Sequence, residues 1–463
     1  MSLPQAAAAL LDECIGHLRA LIRIPSVNPP GLADGAAGRD STSGELAAAR
    51  YCANVLAGDG IGAEVVEIAP GRGSCVARLR AEGATTEPPL ILLSHLDVVP
   101  VEAEAWSRDP FGGDLVDEVV WGRGAVDMKD MVAMELAVML AARRSGLELR
   151  RDLIFAAVAD EEAGGQWGAR GLVDQRAELF HDSEGRPAAA ALNEVGGYSM
   201  TLDGRRFYAL QVAEKGIVWT RLHATGTPSH GSMPHPDNAA TKLARAVTRV
   251  GAWERPVRLV PIVGEFLHGL GLEAVARAAA EEPEAVPEAL ERHLADPVLR
   301  RSLHAMLRDT VTPTVLRAGQ KVNVIPGSGE AEIDVRTLPG TDQDKLLADL
   351  AALVGDDARV EPVMTLPAVE WPADADIVRL MHQALAAADP DATPLPMMIT
   401  PGTDAKALAM LGIPCYGFAP LRLDPQSPFL SLFHGHDERV PVSAIEFGLP
   451  VLAEVVERYA ARS

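Results

Sequence analysis

The chain has 463 residues, with 42 Lys plus Arg against 64 Asp plus Glu and a formal net charge of −22. So acidic a surface repels phosphate backbones and anionic lipid headgroups, which argues against nucleic acid and membrane as partners. The length implies two or three domains, and 48% hydrophobic residues with only 4% aromatics imply cores filled by aliphatic side chains.

Residues 6–22 set Leu10, Leu11, Ile15, Leu18, Leu21 and Ile22 at helical spacing, and the prolines of residues 25–30 end the pattern. The apolar stretch 6–11 has no basic residue before it and stops at Asp12 and Glu13, unlike a signal peptide. No uncharged run reaches the ~20 residues that span a bilayer, so a cytoplasmic protein is expected. Residues 90–93 and 153–158 are short, almost wholly apolar runs, as in strands buried on both faces, and residues 128–144 between them carry a helical pattern. This succession predicts an α/β fold, a mixed sheet with helices on both faces, whose functional groups gather where strands end.

Near residue 213 the texture changes. Alternation at 218–222 and 331–335 predicts an antiparallel sheet wet on one face, and residues 270–310, rich in Ala, Glu, Leu and Arg, predict an additional helical segment. A helical pattern at 377–387 and the apolar residues 413–418 return to the first texture. The expected organisation is one domain of residues 1–212 and 367–463, with an α+β domain, residues 213–366, inserted into it. Cys14, Cys52, Cys75 and Cys415 lack metal-binding spacing and are expected as small core residues.

Five short motifs carry candidate chemistry. Ser94-His95-Leu96-Asp97 follows the first apolar strand, where a carboxylate can orient a ligating imidazole. Asp127 precedes the 128–144 helix and could equally be its N-cap. Asp160-Glu161-Glu162 ends the second apolar strand; three adjacent acids are costly there unless cations or protons compensate, and a solvated turn is the plain alternative. Glu194 follows Asn193 before two glycines, and His434 and His436 lie near the C-terminus. Together the imidazoles and carboxylates form a mixed N/O set suited to two divalent ions, zinc first, with cobalt or manganese as substitutes.

In this order the motifs resemble the M20 family of metallopeptidases and amidohydrolases, over residues 15 to 455. The resemblance implies a catalytic domain and an inserted lid and dimerisation domain. It implies that His95 and Glu194 serve one metal, Glu162 and His434 the other, and that Asp127 bridges them. Asp97 would orient His95, and Glu161 would be the general base. His230, in Gly226-Thr-Pro-Ser-His230-Gly231-Ser232, would donate to the oxyanion, often from the partner of a homodimer. Asn323, Arg336 and the loop Gly402-Thr403 would receive the substrate carboxylate, although Arg336 could instead pair with Asp334. Three positions depart from the family pattern: Pro401 where a small residue is usual, Lys406 where Arg is usual, and Asn193 where an acid is frequent. The implied activity is hydrolysis of a peptide or N-acyl amide bond beside a free carboxylate. The competing class is a non-catalytic relative that keeps the fold as a binding or scaffold module.

Overall fold

A computed structural model describes residues 1–28, 44–82 and 87–462. The chain divides into two compact units: Met1–Val212 with Trp371–Pro396 and Thr403–Ser463, and Ala213–Glu370 with Met397–Gly402.

The first unit is built on a mixed sheet. Its strands run in the order Ala63–Ala69, Arg72–Leu79, Arg151–Val158, Glu87–His95, Ala190–Asn193, Cys415–Gly417 and Arg205–Glu214. Glu87–His95 is parallel to both of its neighbours, and Cys415–Gly417 is parallel to Ala190–Asn193; the flanking pairs are antiparallel. Every residue of Arg151–Val158 is buried, including the charged Arg151 and Asp152 that precede the apolar run 153–158. The helix Lys129–Ser145 is buried on all sides from Lys129 to Ala142 and ends at Gly146, whose left-handed conformation closes the C-terminus. Its N-cap is Met128, not Asp127, so the aspartate is left for another task.

The single helix anticipated over residues 6–22 is two, Leu3–Ala8 and Leu11–Ile22. Ser2 and Gln5 form a reciprocal capping box on the first, which moves its start ahead of the apolar pattern. Pro29 and Pro30 lie outside the described residues.

The second unit contains a four-stranded antiparallel sheet in the order Thr310–Ala318, Ser328–Thr337, Gly216–Thr225 and Arg359–Leu366. Val218 faces Val335 and Leu222 faces Ala331, so the two alternating segments seen in the sequence are register partners. Their inward residues pack with Leu243, Ala246 and Val250 of helix Ala239–Gly251 and Leu346, Leu350 and Val354 of helix Gln343–Val354. The additional helical segment starts earlier than composition suggested. It comprises Pro261–Gly269, Glu273–Glu281, Val286–His293 and Pro297–Met306, the first opened by a proline that suits the initial helical position. Buried Lys215 donates to Ala305 O (3.0 Å), Arg308 O (2.8 Å) and Thr310 Oγ1 (3.2 Å), satisfying carbonyls where the last of these helices ends.

Candidate metal centre

The parallel strands deliver their polar residues at one edge. His95 is the last residue of its strand, Glu194 follows Ala190–Asn193, and residues 160–162 follow Arg151–Val158. The C-terminal motif arrives by a separate route. Arg439–Pro441 pairs with Val119–Trp121, and the Gly122 N–H donates to Glu438 O (2.9 Å), bringing residues 434–438 beside residues 122–127.

Two groups of potential ligands result: His95, Asp127 and Glu194, and Asp127, Glu162 and His434, with the ligand atoms of each group within 4.8 Å of one another. Asp127 belongs to both and divides its oxygens between them. Oδ1 lies 3.1 Å from His95 Nε2, and Oδ2 lies 3.2 Å from His434 Nε2. Glu194 Oε2 is 3.6 Å from His95 Nε2, and Glu162 Oε2 is 3.1 Å from His434 Nε2. Glu161 enters neither group, and His436 lies apart with Nε2 3.6 Å from Glu102.

His95 Nδ1 is 3.0 Å from the backbone carbonyl of Asp97 and 3.6 Å from its carboxylate. An Nδ1–H donated to that carbonyl leaves the Nε2 lone pair free to ligate. The Asp97 carboxylate is engaged elsewhere: it accepts the backbone N–H groups of Glu161 (3.0 Å) and Glu162 (3.1 Å).

The electrostatics are those of a site short of positive charge. Burial pushes the Glu162 carboxyl up to about 7 and Glu161 well above the usual range, with Glu194 adding to the latter. Burial also acts to raise Asp127, but hydrogen bonds with His434 and His95 overcome it and hold that carboxyl below its ordinary range. Contacts with Asp127 and Glu162 raise His434 to about 10. Among the described residues Glu162 Oε1 is buried without a hydrogen-bond partner. An orphaned carboxylate oxygen beside two imidazoles and two further carboxylates is the donor chemistry that divalent ions fit.

Glu438, four residues after His434, anchors the neighbouring loop. Its carboxylate accepts the N–H groups of Val126 (2.8 Å) and Asp127 (3.2 Å) and a hydrogen bond from Arg123 Nη1 (2.7 Å), fixing the loop that carries the shared aspartate. Asn193 has a local reason too: its Nδ2 donates to Thr403 Oγ1 (3.0 Å), which also accepts the Ala405 N–H (3.1 Å).

In the second unit the short ladder Ser229–His230 with Val324–Ile325, together with a Gly231 N–H to Asn323 O bond (2.8 Å), brings His230 and Asn323 together. The Ser232 N–H donates to His230 Nδ1 (3.2 Å), which assigns the ring proton to Nε2 and makes the outer nitrogen a donor. Arg336 pairs with Asp334 through Nε (2.7 Å) and Nη2 (3.2 Å). Gly402 lies at the end of the second unit's closing segment and Thr403 opens the next segment of the first.

The profile of peptidase family M20/M25/M40 matches residues 91–458. The chain belongs to this family. It is 29% identical over 392 residues to the bovine (Bos taurus) N-fatty-acyl-amino acid synthase/hydrolase PM20D1, covering 80% of this chain and 74% of that protein. It is 28% identical to human (Homo sapiens) aminoacylase-1, covering 86% and 87% of the two chains. The M20 family metallo-carboxypeptidase Sso-CP2 from Sulfolobus solfataricus shares its fold, with a TM-score of 0.73 at 16% identity over 97% of this chain and 99% of that one. As an M20 protein it is a metal-dependent hydrolase of C–N bonds. The mixed sheet flanked by helices and the separate antiparallel sheet are this family's architecture.

Sequence reasoning missed several residues that hydrogen-bond around these candidate ligands. Arg123 gave no signal, because its partner Glu438 lies 315 positions away in the chain. Asn28 and Arg72, described below, were equally silent.

Proposed function

We propose that the chain is a dinuclear metallohydrolase cleaving a peptide or N-acyl amide bond next to a free carboxylate. The observation that carries this reading is the division of Asp127 between two ligand groups, with Glu161 beside them and in neither. Nothing in the ligand set or among the relatives favours a non-catalytic binding module.

His95, Asp127 and Glu194 would hold one ion and Asp127, Glu162 and His434 the other, zinc suiting the N/O donors and cobalt or manganese being possible replacements. When bound, such ions would polarise the scissile carbonyl and acidify a water held at the site. The chain's own contribution is proton management and orientation. Glu161, not required as a ligand, accepts a proton from water and returns it to the departing amine. His230, with its proton on Nε2, donates a hydrogen bond to the developing oxyanion. Asn323, Arg336 oriented by Asp334, and the Gly402-Thr403 backbone hold the substrate carboxylate, the guanidinium through a charge-assisted contact.

Replacing that carboxylate by its amide is expected to cost about 1.5–3 kcal/mol, or roughly one to two decades in kcat/KM. Steady-state kinetics on an N-acyl amino acid, a dipeptide and their C-terminal amides check this. Equal kcat/KM for acid and amide would show that the enzyme reads the acyl chain or amine instead.

The same reading makes the enzyme a homodimer joined through residues 213–366. Its support is local: Thr310–Ala318 is an edge strand of the antiparallel sheet, and Met233, Val322 and Val324 expose apolar surface near His230. His230 then serves the neighbouring subunit's site, so mixed His230→Ala and Glu161→Gln subunits, each inactive alone, should regain partial activity after verified exchange; no rescue would overturn the shared site, and a monomeric protein the dimer itself. A cytoplasmic location accords with four buried cysteines that form no disulfide. Among the described residues no helix is long and apolar enough to cross a membrane.

A further inference from the structure

Beneath the turn that carries Glu161 and Glu162 lies a closed ring of buried polar groups, in which Asp97 and Asp160 of the sequence motifs meet Asn28, Glu45 and Arg72 that no motif flagged. Glu45 and Asp97 are fully buried, Asp160 is 2% exposed, and Arg72 and Asn28 are each 4% exposed. Arg72 Nη1 donates to both oxygens of Glu45 (2.8 Å each) and lies 3.6 Å from Asp160 Oδ1. Its other arm, Nη2, donates to Asn28 Oδ1 (3.2 Å). Asn28 Nδ2 passes the connection on, donating to Asp97 Oδ2 (2.9 Å) and approaching Asp160 Oδ1 at 3.3 Å. The two anchored carboxylates then take three successive backbone N–H groups: Asp160 to Glu45 (3.0 Å), Glu161 to Asp97 Oδ1 (3.0 Å) and Glu162 to Asp97 Oδ2 (3.1 Å).

A buried ion pair of this kind adds little net stability, because desolvation offsets most of its attraction. What it does supply is direction. Asp160 is held at φ 67°, a left-handed conformation unusual for a residue with a side chain, and the ring over-determines that backbone. The residue after it carries the base and the next carries a ligand.

We propose that Arg72 and Asn28 are positioning residues: the Arg72–Glu45 pair, relayed through Asn28 to Asp97, fixes the peptide units of residues 160–162 and so aims Glu161 and Glu162. The inference rests on the roles given above to those two glutamates. It differs from a purely structural role in what it spares, since substrate binding should be almost untouched even though losing buried hydrogen bonds lowers stability.

Asn28→Ala removes the relay without leaving a charge unpaired, and Arg72→Lys keeps the charge while removing the fork that reaches Asn28. For each, assayed well below its melting temperature so that the folded state is fully populated, kcat should fall roughly 10- to 100-fold with KM near wild type. Zinc affinity, measured on metal-stripped protein against a chromophoric chelator with no substrate present, should weaken about 10-fold at one of two sites only. Wild-type kcat and wild-type affinity at both sites in a folded variant would overturn the proposal, as would kcat and KM deteriorating together in step with lost stability. If Asn28→Ala does not fold, Arg72→Lys decides by the same readings. A wild-type protein that binds two ions yet hydrolyses no peptide or N-acyl amino acid would sink the proposed function, while the zinc titrations would still judge the positioning role.

Discussion

Glu161→Gln is expected to keep both divalent ions and to lose about 10²-fold or more in kcat. The substitution preserves shape and the backbone N–H to Asp97, so the turn should stay in place. It removes only the capacity to take up and return a proton. Because Glu161 belongs to neither ligand group, metal content should remain that of the wild type. Metal analysis and steady-state kinetics on one preparation test both halves. Loss of an ion from the variant would reverse the assignment of Glu161 and Glu162, since the neighbouring carboxylate would then be the free one.

The second large effect separates two histidines only two residues apart. His434→Ala should lose the ion shared with Glu162 and Asp127, and with it several kcal/mol of transition-state stabilisation, on the order of 10³-fold in kcat/KM. His436→Ala should retain metal and most activity, because His436 faces Glu102 and not the shared aspartate. Metal retained in His434→Ala and lost in His436→Ala would exchange their roles.

The candidate ligand set was legible because each member sits at a strand end or in a short motif. His95, Asp160 to Glu162 and Glu194 announce themselves by following apolar runs, a consequence of parallel strands ending at one edge of a sheet. The alternating strands of the second unit were legible for a similar reason, one face being wet. What the sequence hid is the layer of hydrogen bonds behind the ligands. Asn28 meets Asp97 across 69 residues and Asp160 across 132, and neither pairing leaves any periodicity in the chain. Asn193 looked like a departure from an acidic position, yet its amide is what can donate to the Thr403 hydroxyl; a carboxylate at that place could only accept. Asp127 was ambiguous as an N-cap for the opposite reason: its local pattern fits a cap, the family resemblance alone implied the other use, and the distant pairing of residues 439–441 with 119–121 is what brings His434 to its side chain.

If catalysis needs two ions that share Asp127, stepwise return of zinc to metal-stripped protein must restore it in step with the second ion. Hydrolysis of an N-acyl amino acid or dipeptide, followed alongside bound zinc, should rise to a plateau reached at two equivalents per chain. Full activity in the stripped protein, or a plateau complete at one equivalent with no second ion bound, would contradict it.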